Sequence, residues 1–239
     1  MKEAIISSLV SFAVMLAALL LFSVNDTAYA AGKSAVASSF SQSSTKTDPI
    51  LLSLQHFEQI QSYQVRVRSV SSQDETKVIR YSYRKPGYVR MDFTQPHSGA
   101  VLIYNPVDGK VKLWPFGVGT FPVLNLSPTD SLIQDGNGHR VDQTDFGFLL
   151  KNIRSLQHEG TTTTIGEEII MGKSTLHVSV VGPAGKTVDA VHQFDIWLDK
   201  QSGFPTKVVS YALQGKMLET VLMEAMVINK HFPPKFFAP

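Results

Sequence analysis

The stretch between Ile79 and Trp114 constrains this chain more than any other, because three turns divide it into short runs of strand periodicity. Ile79, Tyr81 and Tyr83 alternate with Arg80, Ser82 and Arg84, the period of two expected of a strand with one buried and one wet face. Lys85-Pro86-Gly87 then stops it, and the order Pro-Gly predicts a type II turn. In the next run Val89, Met91 and Phe93 share one face and Tyr88, Arg90 and Asp92 the other, until Gln95-Pro96-His97-Ser98-Gly99 breaks it. Ala100 to Tyr104 is apolar on both faces. After the turn Asn105 to Gly109, Val111 and Leu113 alternate with Lys110 and Lys112. An antiparallel meander follows from these spacings.

Helical periodicity appears twice. Asp48 reads as an N-cap with Pro49 at the first helical position. Ile50, Leu54, Phe57 and Ile60 form an apolar stripe, with Leu51 beside them, on a helix expected to reach about Gln61. A second helix is expected over Thr144–Gln157, where Phe146, Leu149, Leu150, Ile153 and Leu156 recur at helical spacing, with Asp142, Thr144 or Asp145 as its cap. Ser62–Val70 reads as a strand before the meander. Strands are also expected over Thr161–Ile170, Lys173–Val181, Val191–Asp199, Thr206–Leu213 and Lys216–Asn229, separated by short Gly-containing turns that imply antiparallel pairing. In the last of them Met217, Val221, Met223, Ala225 and Val227 largely share a face, as do Phe194, Ile196 and Leu198 two strands earlier. The broken segment Phe116 to Asp142 carries Phe121, Val123, Leu124 and Leu126 and a short helical signal over Ser127–Ile133. That apolar surface is either packed down or kept for a ligand. The tail HFPPKFFAP is expected to wrap an edge.

The chain opens with Lys2, an apolar run from Ala4 to Val24, and the small-x-small triplet Ala28-Tyr29-Ala30, so residues 1–30 read as a signal peptide cleaved before Ala31. The alternative is an uncleaved inner-membrane anchor made by residues 4–24. Residues 31–47 are Ser-rich and read as a flexible linker, leaving 48–239 as a single domain. There is no cysteine, so neither a disulfide nor lipid attachment through Cys is available. Without residues 1–30 the chain keeps 21 basic and 18 acidic side chains, a net charge of +3. Its basic residues lie at strand-face spacing rather than in a cluster, which excludes nucleic acid as the expected partner.

Familiar catalytic signatures are missing. The seven histidines make no i, i+4 helical pair and no H-E-x-x-H run, so no metal is expected. Neither Ser98 nor Ser202 lies in a G-x-S-x-G elbow, and there is no phosphate-binding Gly loop. No cofactor is expected and the chain reads as a non-enzyme. What stands out is an apolar surplus on two helices facing a sheet. Taken alone, Phe146, Leu149, Leu150 and Ile153 are either ordinary core or the wall of an apolar cavity.

The meander resembles the periplasmic outer-membrane lipoprotein carrier family, the LolA-like proteins. The matching residues are Arg84, Lys85, Pro86, Gly87, Arg90, Gln95, Pro96, Tyr104 and Trp114, and a second match is the W-x-D-x-x-[ST]-G-x-P pattern of Trp197, Asp199, Ser202, Gly203 and Pro205. The resemblance spans roughly Pro49 to Phe237. It implies an α+β, mainly β fold, in which an unclosed antiparallel β-barrel, a strongly curved sheet, is lidded on its concave face by helices. It implies an acyl-chain cavity walled by Val89, Met91, Phe93, Leu132, Phe146, Leu149, Leu150, Ile153, Phe194, Ile196 and Met223. It also implies a lid clamp at Lys85, supported by Arg84, where the carriers commonly have Arg; a lysine makes a less ordered contact than a guanidinium fork. The function so implied is a monomeric periplasmic carrier or chaperone for lipoprotein or lipid cargo, passing it from an inner-membrane transporter to an outer-membrane acceptor. Two alternatives stay open: a lipid-sensing regulatory or structural module of the same fold, and a hydrolase whose catalytic residues are distant in sequence.

Overall fold

The computed structural model describes residues 48–72, 76–133 and 140–239, and the expected leader and linker lie outside them. Helix α1 (Pro49–Gln59) starts where the Asp48 carboxylate accepts the amides of Ile50 and Leu51, at 2.9 and 3.4 Å. It ends two residues earlier than the periodicity predicts, because Ile60 turns extended and feeds the first strand. Helix α2 (Phe146–Gln157) is capped by Asp145, whose carboxylate accepts the Phe148 amide at 3.0 Å.

The strands are β1 (Ser62–Ser71), β2 (Thr76–Arg84), β3 (Tyr88–Gln95), β4 (Val101–Asn105), β5 (Lys110–Trp114) and β6 (Leu124–Leu126), then β7 (Thr161–Ile170), β8 (Lys173–Val181), β9 (Gln193–Asp199), β10 (Pro205–Tyr211) and β11 (Met217–Ile228). They form one antiparallel sheet in the order β6-β5-β4-β3-β2-β1-β11-β10-β9-β8-β7. Each strand therefore lies beside its neighbours in sequence except β6 and β7, which fall at opposite edges, and two meanders meet where β1 pairs with β11. The edges β6 and β7 do not pair, so the curved sheet stays open with both helices on its concave side. This is the expected fold class.

One apolar core lies between helices and sheet, joining Ile50, Phe57 and the underside of α2 to the inner faces of β1–β5 and β8–β11. Most inner faces follow the predicted alternation, but β11 does not. While β1 advances from Gln64 to Arg66, β11 advances from Val227 to Glu224, so β11 holds one extra residue there and Ala225 takes φ +50°. This bulge reverses the side-chain phase. Met226 and Ile228 thus pack on the core, whereas Ala225 and Val227, expected to share the face of Met223, are exposed.

The tail does not wrap an edge. Phe232 and Phe237 pack on the convex side against Val101, Ile103, Trp114 and Tyr88, forming a second small core. That explains a strand apolar on both faces: Leu102 belongs to the inner core and its neighbours Val101 and Ile103 lie under the tail.

Candidate functional site

The helices are held over the sheet at one rim, where the β2–β3 and β9–β10 turns rise on either side of α1. Lys85 ends β2 there. Its amide donates to the Gln61 carbonyl at 2.9 Å, which fixes it beside the end of α1, and its ammonium donates to the Glu58 carbonyl at 2.6 Å. Carbonyls in the last turn of a helix lack intrahelical partners and carry partial negative charge, so a cation suits this place. The turn itself differs from the expected type II: the Lys85–Pro86 peptide is cis, and the Gly87 amide closes on the Arg84 carbonyl at 3.1 Å.

Arg84 does not join Lys85. Alternation turns it to the convex face, where its guanidinium lies 4.6 Å from the Tyr88 ring centre and 4.8 Å from that of Phe237. There it anchors the tail through cation–π contact.

A second contact across the rim went unread in the sequence. Ser53, buried in the middle of α1, donates its hydroxyl to the Gly203 carbonyl at 2.5 Å. Gly203 has φ +74°, and a Cβ there would overlap the His56 imidazole, so the turn demands glycine on both counts. Asp199 builds that turn, accepting from the Gln201 amide at 3.0 Å, the Ser202 hydroxyl at 2.9 Å and the Lys173 ammonium at 2.9 Å. The spacing Asp199, Ser202, Gly203 thus has a physical role, which is to present one carbonyl to the underside of α1. Trp197, in the same motif, points the other way. It stacks on His177 with centres 3.9 Å apart, beneath the Lys207 ammonium at 4.1 Å, and donates to Glu168 at 2.9 Å.

Away from the rim, α1 and α2 run antiparallel and hold one another. Arg154 donates to Asp48 at 2.8 Å and Gln157 donates to it at 3.2 Å. At the other end Gly147 lets the Phe57 ring approach so closely that a Cβ would sit 2.8 Å from its Cδ1.

The residues expected to wall a cavity are mostly brought together. Val89, Met91, Phe93, Phe146, Leu149, Leu150, Ile153, Phe194, Ile196 and Met223 are all buried members of the inner core. Leu132 is half-buried, and its neighbour Ile133 joins that core instead. At the centre is Tyr63, fully buried, stacked on Phe146 at 4.7 Å and on Tyr83 at 5.2 Å. Its hydroxyl accepts the Phe146 amide at 3.4 Å, and Tyr81 shares a 2.9 Å hydrogen bond with Thr144, so the start of α2 rests on buried tyrosine hydroxyls. Burial pushes the Tyr83 hydroxyl up to about 12 and also raises Asp145.

No family model matches the sequence, and no curated protein matches it. Solved structures of similar arrangement include a LolA superfamily protein from Nitrosomonas europaea, 12% identical over 80% of this chain and 97% of that one, with a TM-score of 0.32. The Mycobacterium tuberculosis lipoprotein LppX is 13% identical over 77% of this chain and 95% of its own, with a TM-score of 0.47. The Pseudomonas aeruginosa MucA/MucB complex gives 14% identity over 80% of this chain and 59% of that chain, with a TM-score of 0.48. Among the described residues no helix is long and apolar enough to cross a membrane, and no group of three His, Asp or Glu side chains could hold a metal.

The Asp199 turn has a predictable pH dependence. Burial pushes its carboxyl up, but the Lys173 ammonium, the Gln201 amide and the Ser202 hydroxyl more than offset this and hold it below the usual range. A carboxylate whose folded pKa is depressed stabilises the fold above its unfolded value, about 3.9, and loses that contribution as pH falls through the folded value. Asp199→Asn is accordingly less stable than wild type at neutral pH, and the difference shrinks in acid. Denaturant unfolding at a series of pH values measures it; a gap independent of pH would assign the effect to the turn geometry alone.

Proposed function

We propose that the protein is a non-enzymatic periplasmic carrier or chaperone that takes up an acyl chain, of a lipoprotein or of another lipid, between its helices and its sheet for transfer toward the outer membrane. The observation that carries this reading is the construction of the cover. The buried faces of α1 and α2 are apolar apart from Ser53 and Asn152, and at the rim α1 is tied to the sheet by side-chain hydrogen bonds to two backbone carbonyls, from Lys85 on one side and Ser53 on the other. Such contacts contribute only about 1 kcal/mol each, so they can be exchanged for a ligand that buries about 0.8 kcal/mol per methylene. In the closed state Phe146, Leu149, Leu150 and Ile153 fill the interior themselves. Uptake then means that α1 and α2 lift and their apolar faces line the acyl chain instead of the sheet. The alternative, a permanently closed core, uses the same residues without that motion.

A fluorescent fatty acid in stopped-flow release separates the two. Saturable uptake is expected, with release roughly fivefold faster in Ser53→Ala, the rate equivalent of about 1 kcal/mol at one latch. Lys85→Leu acts likewise at the other latch. Lys85→Arg, able to make two aligned bonds, slows release. Absence of saturable binding, or identical off-rates in all of these, would leave a permanently closed core.

A further inference from the structure

The longest uncharged part of the described chain also carries its most exposed aromatic residues. Between Lys112 and Asp130 there is no charged side chain, and the β5–β6 connection inside that interval, residues 115–123, reads PFGVGTFPV. Phe121 is 91% exposed and Phe116 59%, with Val118 and Val123 also exposed. A phenylalanine so free of its own chain supplies no packing energy to the fold, so its apolar area awaits a partner.

We propose that this loop docks the protein on a phospholipid bilayer by inserting Phe116 and Phe121 below the headgroups. Two phenylalanines this exposed, on a loop with no charge to steer a protein partner, suit a deformable apolar medium. One backbone carbonyl at its bend is already satisfied from within. The Gly117 carbonyl accepts both the amide and the hydroxyl of Thr120, at 3.1 and 2.5 Å, so the turn satisfies its own polar group. Gly117 and Gly119, at φ +99° and +89°, form the bend that puts the two rings outward. Strand register sets the orientation. The β5–β6 loop lies at the strand ends opposite Lys85, and at those same ends the β10–β11 turn exposes Leu213 and Met217. Both apolar projections thus lie at the end of the strands opposite the latched rim. This docking does not depend on what the interior holds.

Because the loop is uncharged, its binding follows buried apolar area and not headgroup charge. Pure phosphatidylcholine vesicles are the probe. Wild type is expected to co-sediment with them equally at low and high salt, and F116S and F121S each weaken the partition coefficient roughly tenfold while leaving circular dichroism unchanged. F121W adds a direct reading, since Trp114 and Trp197 are buried. Its emission shifts to the blue with vesicles and is quenched by brominated lipid. No vesicle binding, undiminished binding in the F116S/F121S double variant, or an F121W signal indifferent to lipid would each overturn the proposal. So would an association of the protein with itself that the double variant abolishes without any vesicle binding. Fatty-acid uptake by the same variants stays at the wild-type level, which separates this test from that of the carrier reading.

Discussion

Gly160→Ala is expected to cost about 3 kcal/mol and to lower the thermal midpoint by roughly 6–12 °C in a chain of this size. Gly160 joins α2 to β7, and a Cβ there would overlap the carbonyl oxygens of both Val181 and Leu156. Those atoms belong to the backbone of β8 and of α2 itself, so no side-chain rotation relieves the contact and one of the two elements must shift. Gly147→Ala is a contrasting case. Its added methyl meets only side chains, the Phe57 ring and the Asp145 carboxylate, which can rotate away where a backbone carbonyl cannot, so its net change is smaller. Differential scanning calorimetry of the two variants decides the order. A Gly160→Ala midpoint within a degree or two of wild type would show that the helix–strand junction is yielding. A rigid junction matters to the proposed mechanism, because it makes the C-terminal end of α2 a fixed point about which the cover opens.

The local signals of the sequence carried most of the architecture. Alternation gave β2, β3 and β5, the Pro and Gly turns separated them, and Asp48 and Asp145 capped the helices as their side chains suggest. What escaped were features set by pairing between remote segments. The extra residue at Ala225 is visible only when β11 is laid against β1, and it reverses the faces of Met226, Val227 and Ile228. Ser53 looks like an unremarkable polar residue in an apolar stripe until the Gly203 carbonyl is placed beneath it, 150 residues away in sequence. Arg84 and Lys85 are neighbours in the chain and part at once, because adjacent residues of a strand point to opposite faces. The doubly apolar run Ala100–Tyr104 did hint at a second buried face, and the three phenylalanines of the tail supply its cover.

Tyr63→Ala tests the cover from beneath. The side chain is fully buried, stacks on Phe146 and Tyr83, and holds the first amide of α2 with its hydroxyl. Removing the ring should cost about 3–5 kcal/mol, the range for a large aromatic deleted from a packed core. Tyr63→Phe keeps the ring and loses the hydroxyl's hydrogen bonds to the Phe146 amide and to Tyr81, so it should cost about 1–2 kcal/mol. The two variants part further in binding. If α2 lifts to admit an acyl chain, the Tyr63–Phe146 stack is what the ligand must displace, and its removal leaves an apolar void directly below the lid. Fatty-acid affinity per folded molecule should then rise in Tyr63→Ala even as stability falls, whereas a permanently closed core would lose stability and gain no binding. Denaturant unfolding and probe titration on the same preparations give both quantities. An alanine variant that is less stable and binds no more tightly than wild type would remove Tyr63 from the path of the ligand, and with it the lifting of α2 as the way in.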